Sequence, residues 1–290
     1  MADVVRLEAD GASADIALMG AEPVSWRVGG RELIWRGDPQ HWARHAPILF
    51  PVVGASAGGI VRIAGKTYPM PQHGFARDSL FSLVERTGDA AHLRLAASEA
   101  TAAHFPFRFV LDVTATLRPD SLSLAVRVTN AGRHEMPYAV GFHPAFPWPF
   151  DAADRAGHAV EFEREERADV PALTQDGLLA QPGQQLPMEG RRLALAPELF
   201  TGALVFLDAR SHWLHFRSPS GAGIALEAEN CPHLALWTKP AAPFLSMEAW
   251  TGHADWEGFS GGLSERPSML RLEPGADAEH ALTLRWLRAG

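Results

Sequence analysis

Apolar residues recur at every second position along most of this chain, and clusters of Gly, Pro, Ser and Asp interrupt them about every ten residues. A period of two puts alternate side chains on opposite faces of an extended strand, whereas a helix would need a period near 3.6. Val5-Arg6-Leu7-Glu8, Ile60-Val61-Arg62-Ile63 and Leu93-Arg94-Leu95 all follow the shorter period. The clearest instance joins Phe107–Leu117 to Ser121–Thr129 through Arg118-Pro119-Asp120, which reads as a tight turn and so as an antiparallel hairpin. Ala203–Leu207, Trp213–Phe216, Ile224–Glu227, Leu234–Trp237 and Ala281–Trp286 repeat the habit. Only Ser98–Ala103 reads as a short turn of helix, ended by Phe105-Pro106. Asp151–Glu166 is polar enough to be expected as an exposed edge strand or loop. The pattern predicts one all-β domain over residues 1–290, built from large antiparallel sheets in a sandwich.

Composition narrows the partners. Acidic side chains number 34 against 26 basic ones, a formal net charge of −8, which argues against nucleic acid or an anionic membrane as a partner. No stretch reaches the roughly 18 apolar residues of a membrane span, and the first ten residues lack a basic leader, so a cytoplasmic protein is expected. Cys231 is the only cysteine; no intrachain disulfide can form, and a buried inert thiol is the expected state. The 13 histidines show no His-Glu-x-x-His or His-x-His spacing, so no metal site is expected. Neither a dinucleotide loop nor a Gly-x-Ser-x-Gly elbow is present.

Three titratable residues lie in aromatic or apolar surroundings. His73 follows the proline-rich Tyr68-Pro-Met-Pro71, which favours a loop or edge, and Gly74 lets the backbone come close to a ligand. Arg77, four residues on, carries a forked donor, although both groups have an alternative as partners of carboxylates such as Asp78. His143 lies between Phe142 and Pro144, as either a core histidine held by a carbonyl or a ligand-facing group. Phe146 and Trp148 favour the second reading, because flat rings suit the C–H face of a sugar. Glu248 shares a strand face with Ser246 and Trp250, and burial there would raise its pKa toward that of a general base. The alternative for Glu248 is an ion pair with a residue such as Lys239. Asp208 is equally readable as a hydroxyl-binding group or a solvated strand end. The segment Gln40–Pro47, with His41, Arg44 and His45, either lines a pocket or covers the sandwich.

Four segments in order, Ala46–Gly54, Tyr68–Arg77, Gly141–Phe146 and Leu234–Trp237 followed by Glu248-Ala-Trp250, resemble the aldose 1-epimerase (galactose mutarotase-like) family in its LacX-like bacterial branch. The resemblance implies a β-supersandwich with a sugar-binding cleft on one concave sheet. It implies an isomerase in which Glu248 removes the proton from the anomeric hydroxyl, His143 protonates the ring oxygen and His73 binds the reacting centre. Arg77, Asp208, Trp237 and Phe146 are then the expected substrate-binding residues. The Asn-Arg pair of the galactose-specific enzymes is absent, and Pro51-Val-Val-Gly54 stands near its place. This chemistry needs no cofactor; the partner expected is a small-molecule sugar, and the protein a monomer or homodimer. Two rival functions are a hexose-6-phosphate mutarotase, with Arg44 or Arg62 adding to Arg77, and a non-catalytic sugar-binding protein. A glycoside hydrolase would call for a second well-placed carboxylate.

Overall fold

The computed structural model describes residues 3–289. Its largest sheet has ten antiparallel strands, running from Met188–Glu189 at one edge to Ser82–Arg86 at the other. The predicted hairpin lies within it: Phe109–Leu117 pairs with Ser121–Asn130, and Arg118 and Ser121 exchange backbone hydrogen bonds across the turn. Strict alternation shows in the burial of Phe109–Leu117, where every odd-numbered side chain is buried. Those inward residues, including Leu111, Val113 and Ala115, carry the stabilisation, since burying each large apolar side chain contributes about 1.5–3 kcal/mol.

A second sheet packs its apolar face on the same core. Its strands run in the order Leu204–Phe206, His233–Trp237, Phe244–Trp250, Gly141–Phe142 and Ile48–Leu49, with Ala145–Pro147 also pairing to Phe244–Trp250. Phe142, Phe146, Leu245 and Met247 from this sheet join Leu111, Val126 and Leu284 from the larger one in a single apolar cluster. Four further strands, from Val4–Ala9 to Arg31–Glu32, add Leu7, Ile16 and Trp26 to it. The one α-helix among the described residues, Glu99–Ala102, is set by the Ser98 cap and its reciprocal bonds with Thr101.

One expectation holds only in part. Residues 151–157 form the largely exposed loop expected, but Ala159–Phe162 is an interior strand between Arg192–Ala194 and Trp213–Arg217 and not an edge. Val160 and Phe162 are fully buried, and the Glu166 carboxylate is buried too, accepting from the Arg210 and Ser211 backbone N–H groups. The charged residues around this strand face backbone donors and water, which masks its alternation in the sequence.

Candidate active site

Because strand Phe244–Trp250 alternates, Ser246, Glu248 and Trp250 point away from the core while Leu245, Met247 and Ala249 point into it. The register brings more side chains to the outer face. Trp237 pairs with Ser246, Ala235 with Glu248, and Gly141 with Trp250, so that His143 follows onto the same side. This face is the floor of a cavity of about 400 Å³, walled by Trp42, Gly54, Gln72, His73, Arg77, Thr174, Gln175 and Thr201 among others.

Five of the seven expected residues, Glu248, His143, His73, Arg77 and Trp237, line this cavity. Two do not. Phe146 pairs with Leu245, so the pleat turns its ring into the core, where it is fully buried. Asp208 sits past a strand end with 78% of its side chain exposed, and its backbone N–H donates to His233 Nδ1. Asp208 is the solvated strand end. Asp208→Asn is therefore expected to leave turnover and stability within about twofold and 0.5 kcal/mol of wild type, as for surface changes generally; a tenfold loss in steady-state assays would contradict this placement.

His143 and Glu248 are in direct contact, Nε2 to Oε2 at 3.2 Å, and both are buried. The sequence suggests an acid and a base on opposite sides of a molecule; the structure sets them side by side. Burial holds the Glu248 carboxyl well above its usual range, with Trp250 Nε1–H, donating to Oε2 at 3.1 Å, and then the Ser246 hydroxyl pulling the other way. Burial likewise lowers His143 to about 3. Both shifts disfavour charge, so the proton that the pair shares rests on the carboxyl and is accepted by Nε2, and shifting it across gives a carboxylate and an imidazolium with no change in total charge. Lys239, the expected rival partner of Glu248, instead donates to the His41 carbonyl.

His73 is held in one tautomer. The Gly54 backbone N–H donates to its Nδ1 at 3.1 Å and the His73 N–H returns a bond to the Gly54 carbonyl at 2.9 Å. Its Nδ1 is thereby an acceptor, so the neutral ring carries its proton on Nε2 and offers a donor. Desolvation, aided by His143 and Arg77, lowers its pKa well below the usual value and keeps it neutral. This arrangement depends on close backbone approach. A Cβ on Gly74 would lie 2.1 Å from the Phe50 carbonyl oxygen, and Gly74 has φ +72°.

Arg77 donates from Nη2 to the Gln72 carbonyl at 2.7 Å, while its buried Nε has no hydrogen-bond partner among the described residues. Asp78 is 3.6 Å from that Nε, an ion pair too long for a hydrogen bond. Burial and the neighbouring Arg44 lower Arg77 to about 10, so it stays charged at neutral pH. Arg44 itself pairs with Asp78, and neither it nor Arg62 lines the cavity.

Sequence reasoning misses the ring that covers His143. Trp42 stacks on it at 4.9 Å between centroids, while Trp237 meets it edge-on at 5.6 Å. The available signal is the segment Gln40–Pro47, which reads equally as pocket lining or as cover for the sandwich. The Gly54 N–H that sets the His73 tautomer has no side-chain signal at all.

The sequence signature of the aldose 1-epimerase family matches residues 3–284. The chain belongs to that family. It is 28% identical over 258 residues to chromosomal protein LacX of Lactococcus lactis subsp. lactis, an alignment covering 84% of this chain and 86% of that protein. A galactose mutarotase-like protein from Lactobacillus casei superposes with a TM-score of 0.92 at 30% identity, covering 98% of this chain and all of the other. A galactose mutarotase related enzyme from Lactobacillus acidophilus gives 0.90 at 26% identity, covering 99% and 98%. The β-supersandwich expected from the sequence motifs is thus the fold of this aldose 1-epimerase family member. No cluster of potential metal ligands occurs among the described residues, and none of their helices is long and apolar enough to cross a membrane.

Proposed function

We propose that this protein is a mutarotase that interconverts the α and β anomers of a free aldose, with Glu248 and His143 exchanging protons with the two oxygens bonded to C1. The observation that carries this reading is the contact between them, Nε2 to Oε2 at 3.2 Å in a buried site. Opening a cyclic hemiacetal removes a proton from O1 and adds one to O5. Both oxygens are attached to the same carbon, so two groups in contact can serve both.

The single proton of the pair suits a cycle that consumes none. In the ring-closed complex, carboxylate Glu248 takes the O1 proton as imidazolium His143 gives its proton to O5, and the C1–O5 bond breaks. The open-chain aldehyde then faces a protonated carboxyl and a neutral imidazole. After rotation about C1–C2, Glu248 returns its proton to O1 while His143 takes the O5 proton as the ring closes. Acid–base assistance of this kind contributes about 10²–10⁴-fold. His73 Nε2–H and the Arg77 guanidinium supply donors near the reacting oxygens, and Gln72, Thr174, Gln175 and Thr201 offer groups to the remaining hydroxyls. A neutral sugar is favoured over a phosphorylated one because Arg77 is the lone cation among the described residues lining the cavity.

Polarimetry on freshly dissolved α-glucose and α-galactose tests the reading, with glucose 6-phosphate as a third substrate. Protein-dependent acceleration is expected with at least one free sugar. Calorimetric sugar binding without acceleration of any of the three would replace the enzyme by a binding protein; acceleration confined to the phosphate ester would replace the substrate.

A further inference from the structure

Ser246 is fully buried, takes no part in the cavity wall and lies where it can settle which nitrogen of His143 carries the permanent proton. Its Oγ is 2.9 Å from His143 Nδ1 and 2.9 Å from the Pro144 carbonyl oxygen. A hydroxyl has one proton to give. The carbonyl can only accept, and the other oxygen that draws on this hydroxyl, the Glu248 carboxylate, is an acceptor too. Whichever of them takes the proton, a lone pair of Oγ is left to accept from Nδ1. The His143 ring therefore bears its fixed proton on Nδ1 and presents Nε2 to Glu248 and the cavity.

We propose that Ser246 is the positioning residue that fixes the tautomer of His143, reserving Nε2 as the only nitrogen that exchanges protons with the substrate. This deepens the mutarotase reading and rests on it for its consequence in turnover. The strand then carries three functions at successive outward positions: Ser246 orients the imidazole, Glu248 exchanges the proton, and Trp250 holds the carboxylate through its indole N–H. Backbone geometry enforces the first of these. Ser246 pairs with Ala145, directly after the His143-Pro144 step, so the hydroxyl is set opposite a methyl group and beside both of its partners. If Ser246 were lost, Nδ1–H would lose its well-aligned acceptor, and the ring would gain by moving that proton to Nε2. In that form it would be a donor toward Glu248 and would oppose rather than share the proton of the pair.

Nitrogen-15 NMR of histidine-labelled protein reads the tautomer without any substrate, with His143 assigned by its loss in His143→Gln. The measurement is made in Glu248→Ala, which removes the group that faces Nε2, because in Glu248→Gln the Trp250 N–H would hold the amide oxygen against that nitrogen. The Nδ1–H form is expected there, and adding Ser246→Ala is expected to abolish that preference. An Nε2–H ring in Glu248→Ala, or an unchanged Nδ1–H ring after Ser246→Ala, overturns the proposal; if the double variant does not fold, the Glu248→Ala spectrum alone decides. In the Glu248 background, Ser246→Ala is expected to lower kcat/KM about 10–100-fold, as loss of a group that orients an active residue does. KM should stay nearly constant, the pH profile should shift, and Ser246→Thr, which keeps the hydroxyl, should recover much of the rate. A rate loss without a pH shift would mark Ser246 as structural. A wild type that turns over no sugar would defeat the mutarotase reading while leaving the tautomer result intact.

Discussion

Glu248→Gln is expected to lower mutarotation by about 10²–10⁴-fold while making the folded protein more stable at neutral pH. The two effects share one cause. Glutamine keeps the shape of the side chain, and its amide oxygen can still accept from Trp250 Nε1 at the position that also faces His143 Nε2, so the cavity floor is retained. It cannot take a proton from O1, so the cycle stops. The stability gain follows from the direction of the Glu248 shift. In the unfolded chain this carboxyl ionises near 4.5, but in the folded one burial keeps the proton on to higher pH. Between those two values the unfolded state binds fewer protons than the native state, so stability falls as pH rises through the window. Glutamine has no such loss, so the variant should melt higher than wild type above it. The activity profile has the matching shape. The singly protonated pair is the working form, so kcat/KM should hold a plateau, fall below about 3 as His143 takes a second proton, and fall on the alkaline side as the pair loses its only one. Melting curves and polarimetric rates across the pH range check both halves; a variant less stable than wild type at neutral pH, or one retaining a tenth of its rate, would contradict the assignment.

Arg266→Leu is expected to cost about 3–5 kcal/mol in stability and to remove activity as a consequence. The Arg266 guanidinium is buried, with Nε 2.9 Å from Asp255 and Nη1 donating to Ser56. Its Nη2 reaches the carbonyls of Val53, Ala55 and His253. Those partners belong to two segments that meet here, one carrying Gly54 and the other Ala254, both in the cavity wall. Leucine would leave a buried carboxylate without its counter-charge and take a donor away from three carbonyls. The loss of one partner from such a pair is far costlier than its net worth when intact. Denaturant titration should show a lower midpoint at unchanged slope. Adding Asp255→Asn should recover part of the loss, because the unpaired charge is then gone; a single variant within about 1 kcal/mol of wild type would show that water reaches the site.

The outward face of strand Phe244–Trp250 is legible in the sequence, because alternation is local and Ser246-Met-Glu-Ala-Trp250 displays it plainly. His73 and His143 stand out for a similar reason, as polar residues in apolar company beside Gly74 and Pro144. Phe146 misleads because an aromatic beside a candidate histidine has equal claims to core and cavity, and only pairing with Leu245 assigns it to the core. Trp42 escapes notice because nothing in its neighbourhood says that its ring will lie on that of His143. Arg266 gives no signal, since its partners are backbone carbonyls, the Ser56 hydroxyl and a carboxylate whose positions the local sequence does not specify.

By itself, then, the sequence determined the strand-rich class, the central hairpin and which side chains share a face on its plainly alternating strands, because these depend on the period of two and on turn chemistry. Its motifs also marked the family. The tertiary structure alone decided that Glu248 and His143 touch, that a backbone N–H sets the His73 tautomer, and that Asp208 faces water. Those facts depend on register between strands far apart in the chain, where a shift of one residue would turn every side chain to the other face.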